Sequence, residues 1–193
     1  MCYEVPVSRA LGSPPLRRRL ITALEETMSD LPASPETPDI DVLNTVTPYL
    51  CVRGAAEAIE FYRNAFGAVE HHRLVGEDGR VGHAEVVIGN SRLMLADEYP
   101  EIDVLAPPSR RGSSTSFTLA VADCDATITR AVAAGATILR PVADQFYGHR
   151  QGTVLDPFGH QWSVSSPIPG FSESAYVANS KEAGFDVQRS PSR

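Results

Sequence analysis

The stretch Tyr49-Leu-Cys-Val-Arg-Gly-Ala-Ala-Glu-Ala-Ile-Glu-Phe-Tyr-Arg-Asn-Ala-Phe-Gly-Ala68 decides the fold, because the chain states it again as Thr118-Leu-Ala-Val-Ala-Asp-Cys-Asp-Ala-Thr-Ile-Thr-Arg-Ala-Val-Ala-Ala-Gly-Ala136. Each copy reads as a short strand, a helix and a glycine stop. Ile59 and Ile128 keep the same offset as Val52 and Val121. A strand–helix unit repeated inside one domain-sized chain predicts two similar modules related by a pseudo-two-fold. Two sheets facing each other across such an axis are expected to form a cleft, and a cleft is where a small molecule binds.

Working outward, Thr45 to Val52 reads as a strand. Ala55 to Phe66 reads as a helix with Ala58, Ile59, Tyr62 and Phe66 on one face, and Gly67 suits its C-terminal stop. Strands follow at Glu70 to Val75, Val81 to Ile88 and Arg92 to Ala96, with Glu77-Asp-Gly79 as a hairpin turn. A Pro- and Gly-rich connector leads to the second module. There a strand over Thr115 to Val121 precedes a helix over Cys124 to Ala134 with Asp123 as N-cap. Strands at Thr137 to Pro141, Arg150 to Leu155 and Gln161 to Ser165 complete it. Each module is therefore βαβββ, an α+β architecture.

The boundaries follow from this reading. Residues 1–43 form a Pro-punctuated N-terminal tail that is expected to be disordered, with a marginal helix over Pro15 to Asp30. Nothing before Met28 is needed for the repeat, so Met28 is an alternative start. The domain covers 44–167: module one 44–98, connector 99–114, module two 115–167. Residues 168–193 are Ser-rich, lack periodicity and read as a C-terminal tail, docked if at all through Phe171 and Tyr176.

Composition narrows the function. The net charge of -7 lacks the basic face that nucleic-acid binding needs. Three cysteines without a CxxC pair give neither a zinc ribbon nor a disulfide framework, and fit a reducing compartment. No apolar run approaches membrane length, so a cytoplasmic location is expected. Hydrolase, dinucleotide and nucleotide-triphosphate motifs are absent.

Thr47-Pro-Tyr-Leu-Cys-Val, Ala58-Ile-Glu-Phe-Tyr-Arg-Asn-Ala-Phe-Gly-Ala, His83-Ala-Glu, Leu93-Met-Leu-Ala-Asp-Glu98 and Asp156-Pro-Phe-Gly-His-Gln-Trp162 together resemble the vicinal oxygen chelate superfamily, in its PhnB-like branch of glyoxalase, bleomycin resistance and dioxygenase proteins. The resemblance covers roughly 44–167. It implies a curved open barrel of two βαβββ modules, often paired in a homodimer. Its enzymes hold a divalent metal that chelates neighbouring substrate oxygens; its bleomycin-resistance type binds a ligand without metal. It also implies four ligand positions. Counted along this chain, they fall on Thr47, Ser116 and Ser163, with the fourth near His83 and with Glu85 two residues on.

Neutral hydroxyls are weak ligands for Zn, Ni or Fe. No metal ligand is therefore assigned and no cofactor is expected, while a divalent ion stays open. The expected function is small-molecule binding of a sequestration or resistance type. The alternatives are a lyase, isomerase or epimerase acting on a small oxygenated substrate, through an unconventional metal or metal-free acid–base chemistry, and an accessory or regulatory protein with a vestigial cleft.

Strand alternation assigns the walls. Thr47, Tyr49 and Cys51 share one face; Ser116 and Thr118 share another, with Gln161 and Ser163. Trp162 falls on the helix side. His83 and Glu85 are the candidate acid–base pair. The loop Asp144 to Arg150 is expected to cover a mouth of the cleft, with Phe146 and Tyr147 closing over a ligand. Arg150 would either pair an anionic ligand or bridge to Asp156 or Glu85. His160, after the Asp-Pro-Phe-Gly turn, is expected on the rim. The expected partners are a small-molecule ligand and a second copy of the chain, with neither nucleic acid nor membrane.

Overall fold

The computed structural model describes residues 45–189. The N-terminal tail, the helix expected within it and Met28 lie outside the described residues. The first half consists of β1 (Tyr49–Val52), α1 (Ala55–Phe66), β2 (Val69–Val75), β3 (Val81–Ile88) and β4 (Ser91–Asp97). The second consists of β5 (Ser116–Ala120), α2 (Cys124–Ala133), β6 (Thr137–Asp144), β7 (His149–Leu155) and β8 (Gln161–Pro167). The sheets have orders β1-β4-β3-β2 and β5-β8-β7-β6, each with its first strand parallel to its last and the others antiparallel. Two open βαβββ modules are thus present, as the repeat requires.

The core lies on the helix side of both sheets. Leu50 and Val52 on β1, Ile59 and Tyr62 on α1, and Val86 and Leu95 meet Cys124, Ile128, Val154, Trp162 and Val164 in one buried cluster. The two helices pack on each other, and no Cα of a strand in one sheet lies within 8 Å of a strand Cα in the other. On the opposite faces, which carry the candidate binding residues, the first strands are open: Tyr49 is 54% exposed, and Ser116 and Thr118 are exposed as well, while Glu85 and Thr153 further into the sheets are buried. The expectation that a single chain closes these faces on each other into one cleft is therefore corrected. Helix packing, which buries the apolar side of both modules, turns their polar faces outward.

The helices start differently. α1 begins after Gly54, at φ 89, with no side-chain cap of its own. Asp97, from the end of β4, instead accepts the Gly54 and Ala55 N–H groups at 2.8 and 2.9 Å through Oδ1, and Val81 N–H at 2.7 Å through Oδ2. α2 is capped locally, with Asp123 Oδ1 accepting from Ala126 N–H at 2.9 Å.

A buried carboxylate ties the halves. Asp156, 3% exposed, accepts from the Tyr62 hydroxyl at 2.9 Å and Trp162 Nε1–H at 3.0 Å. Its other oxygen accepts from the N–H groups of Phe158 and His160 at 2.9 and 2.8 Å. Four donors satisfy a charge that would otherwise be costly to bury. Trp162 is core, as its parity predicts, and Asp156 partners its N–H. Burial, then the neighbouring Asp156, raises the Tyr62 phenol well above its ordinary pKa.

The segment after β8 forms a helix, α3 (Glu173–Glu182), capped by Ser172. It carries polar residues all round, so no apolar stripe marked it in the sequence. Phe171 docks on Gly148, where an added Cβ would come within 2.2 Å of the ring. Phe146 stacks on Phe185 at 5.8 Å. Tyr176 is 37% exposed and is not the anchor.

Candidate functional site

Register builds the site from the strands upward. Across the first sheet, Tyr49 pairs with Met94, Met94 with Glu85, and Glu85 with His72. Across the second, Thr118 pairs with Ser163, Ser163 with Thr153, and Thr153 with Arg140. The two rows occupy equivalent places in the repeat. Ser163 therefore has Met94 as its counterpart in the first module, not His83. The four positions that the resemblance points to become Thr47, Met94, Ser116 and Ser163. Three hydroxyls and a thioether do not fit a Zn, Ni or Fe site.

The ionisable groups lie beside that row, toward the edge of the first sheet. Tyr49 Oη and His83 Nδ1 are 3.0 Å apart, and His83 Nε2 lies 3.4 Å from Glu85 Oε1. Glu85, 8% exposed, is held by Arg92 Nη1 at 3.0 Å through Oε2. Arg92 is itself 9% exposed. His72 brings its ring to 5.6 Å from that of His83. Burying Glu85 with a guanidinium partner offsets the cost of an isolated buried carboxylate. The chain Tyr49–His83–Glu85–Arg92 is thus a continuous polar network across β1, β3 and β4.

On the second face, Thr153 and Ser163 hydroxyls stand 3.4 Å apart, with Thr118 beside Ser163 in register and Gln161 beside Ser116. This patch holds hydroxyls and an amide and no carboxylate. Thr47 lies just before β1, half-buried. Cys51 is half-buried on the Tyr49 face. Burial, then Glu98, raises its thiol above the ordinary pKa, with Arg110 opposing, so it stays protonated. Cys124 is buried and donates to Val164 O at 3.1 Å, the part of a small apolar residue.

Several expectations are corrected here. Arg150 does not bridge to Asp156 or Glu85, and it does not point into a cleft. It faces α2 and binds Asp125 at 2.6 and 2.8 Å and Asp144 at 2.9 Å. One strand step separates it from the face that carries Gln151 and Thr153. Tyr147 stands in a loop that packs on the C-terminal segment, with Asn179 Nδ2–H donating to Phe146 O at 3.2 Å. That loop is covered by the chain's own Phe171 and Phe185 instead of standing free over a ligand. His160 is buried, not on the rim, and burial lowers its pKa while Asp156 opposes. It lines a groove with Tyr49, Cys51, Arg110 and Phe117.

The sequence reading missed His72 and Arg92. Arg92 begins the fourth strand and had no signal beyond its charge. The adjacent pair His71-His72 was the signal for the other, but register alone decides which imidazole joins Glu85.

Residues 42–164 match the model of the Glyoxalase/Bleomycin resistance protein/Dioxygenase superfamily, and the chain belongs to that superfamily. It is 41% identical over 136 residues to an uncharacterized protein of Mycobacterium tuberculosis, Rv0887c, covering 69% of this chain and 80% of that protein. An X-ray structure of an Arabidopsis thaliana gene product, At5g48480, is 28% identical with a TM-score of 0.53, covering 64% of this chain and 99% of that one. A PhnB protein from Bacillus cereus shares the fold at 19% identity and a TM-score of 0.51, covering 64% of this chain and 99% of that one. Among the described residues no helix is long and apolar enough to cross a membrane.

Proposed function

We propose that this chain is a small-molecule-binding protein of the sequestration or resistance type, acting in the cytoplasm, whose ligand is held by hydrogen bonds and aromatic contact and not by a metal at the superfamily's chelating positions. The observation that carries the reading is the set Thr47, Met94, Ser116 and Ser163 at those positions. Tyr49 supplies a half-exposed aromatic surface, and Thr118, Ser163 and Gln161 supply neutral donors and acceptors. The openness of both faces in one chain supports a homodimer in which a second copy covers them; sedimentation as a dimer is the expected result.

The test is a thermal-shift screen of small oxygenated compounds against chelator-treated protein. A ligand that stabilises saturably and is not turned over supports the reading. Tyr49→Phe and Thr118→Val should each weaken it by about fivefold, the worth of one hydrogen bond of ~1 kcal/mol. Stabilisation that appears only when a divalent ion is added, and that follows Ser163 or Ser116 substitutions, would overturn it.

A second reading rests on the Tyr49–His83–Glu85–Arg92 network. A hydroxyl, an imidazole and a carboxylate in line can relay a proton, which suits a lyase, isomerase or epimerase. Loss of turnover in Glu85→Gln with ligand affinity retained would favour it; a protein with no turnover of any bound ligand would remove it.

A further inference from the structure

The outer edge of the first sheet carries a grouping that neither reading uses as a unit. β2 is the edge strand and β3 its neighbour. Register places His72 directly opposite Glu85, and His83 precedes Glu85 by two residues on the same face. One ligand atom each from His72, His83 and Glu85 lies within 4.8 Å of the others. We propose that these three side chains form a divalent transition-metal site of the zinc class, off the superfamily's chelating row. The proposal goes beyond the binding reading above, which needs no metal.

Three observations carry it. First, the His83 Nε2 to Glu85 Oε1 distance of 3.4 Å already matches one edge of a tetrahedron, about 3.4 Å for bonds of ~2.1 Å. His72 is exposed, so a side-chain rotation can bring the third ligand in without moving the sheet. Second, the donor set is two imidazoles and one carboxylate. That combination suits Zn, Co or Ni and leaves a fourth position for water, whereas Mg and Ca want more oxygen ligands.

Third, the supporting contacts are of the kind that metal ligands need. His83 Nδ1–H can donate to Tyr49 Oη at 3.0 Å, whose own hydroxyl reaches Gly82 O at 3.5 Å. In that tautomer Nε2 is left unprotonated toward the gap. Arg92 holds Glu85 Oε2 and leaves Oε1 facing the same gap. Orientation of a ligating imidazole and carboxylate by such partners is the usual arrangement around bound metal. A cation here would also occupy the lone pairs that the proton-relay reading requires, so the two make opposite demands on His83 and Glu85.

The experiment uses the untagged full chain, stripped with chelator and titrated with zinc by calorimetry, with cobalt(II) visible absorption as a coordination readout. One equivalent per chain is expected. His72→Ala, at an exposed position where the fold is spared, and His83→Gln should each weaken uptake at least about tenfold. Tyr49→Phe should weaken it by about tenfold through the lost orienting contact. His71→Ala should leave it unchanged. Absence of stoichiometric uptake, uptake that survives His72→Ala, or uptake that follows His71 instead would overturn the proposal.

Discussion

Across the first sheet the in-register row runs Tyr49, Met94, Glu85, His72; across the second, at equivalent places, it runs Thr118, Ser163, Thr153, Arg140. One row is aromatic and ionisable, the other mainly hydroxyl. Behind them some core positions keep the same residue, Val52 matching Val121 and Ile59 matching Ile128, while others exchange size, as Tyr62 for Ala131 and Leu93 for Trp162. Packing constrains the buried side, because a lost or added methylene there is felt by the whole core. The open side is free of that constraint, so the chemistry of the two modules can diverge while the backbone repeat persists.

The comparison can be broken hardest at the tie between halves. Asp156→Ala strands the Tyr62 hydroxyl, the Trp162 N–H and two backbone N–H groups in the core. We expect a loss of about 4 kcal/mol in urea unfolding. A loss under 1 kcal/mol would show that the carboxylate is not what joins the modules. The helix starts come next. Asp97→Ala removes the acceptor of three N–H groups and should cost about 2 kcal/mol, whereas Asp123→Ala removes an ordinary N-cap and should cost about 1 kcal/mol. Equal costs would mean that the borrowed cap of the first module does no more than the local cap of the second.

The smallest effect lies in the connector. Hydrogen bonds from Ser109, Arg53 and the Ala106 N–H hold the Glu98 carboxyl down to about 2. A carboxylate lowered in the folded state contributes stability that is complete above its ordinary value of 4.5 and lost as pH falls through about 2. Protection of the Ala106 amide, taken relative to its intrinsic exchange rate at each pH, should therefore hold on acidification to the ordinary value of 4.5 and fall between there and pH 2. Loss of that protection already near pH 5 would contradict the assignment.

Much of this was legible from the chain. The helix Ala55–Phe66 and the strand Val81–Ile88 follow directly from periodicity and glycine stops, as does the burial of Trp162. That hydroxyls stand where the resemblance points to chelating ligands was also readable, because alternation sets the face of Ser116 and Ser163. What escaped was decided by register. Val75 pairs with Val81, and a straight hairpin from there would set His71 against Glu85. Gly82 stands as an extra residue in β3, so Leu74 pairs with His83 and His72 meets Glu85. A one-residue slip of this kind exchanges faces and leaves no mark in composition. Arg150 escaped for the same reason of parity, one strand step from the face it was assigned to. The helix after β8 escaped because its polar sequence carries no stripe for a core to select.

The central claim is that ligand binding on this fold no longer runs through the superfamily's chelating row. It is tested most directly by measuring the dissociation constant of a screened ligand before and after removal of divalent ions, in the natural chain and in His72→Ala. The account predicts that the constant changes by less than about twofold in both. Binding that vanishes with the ions and returns when zinc is added to His72→Ala would contradict it, because the metal would then sit on the chelating row itself.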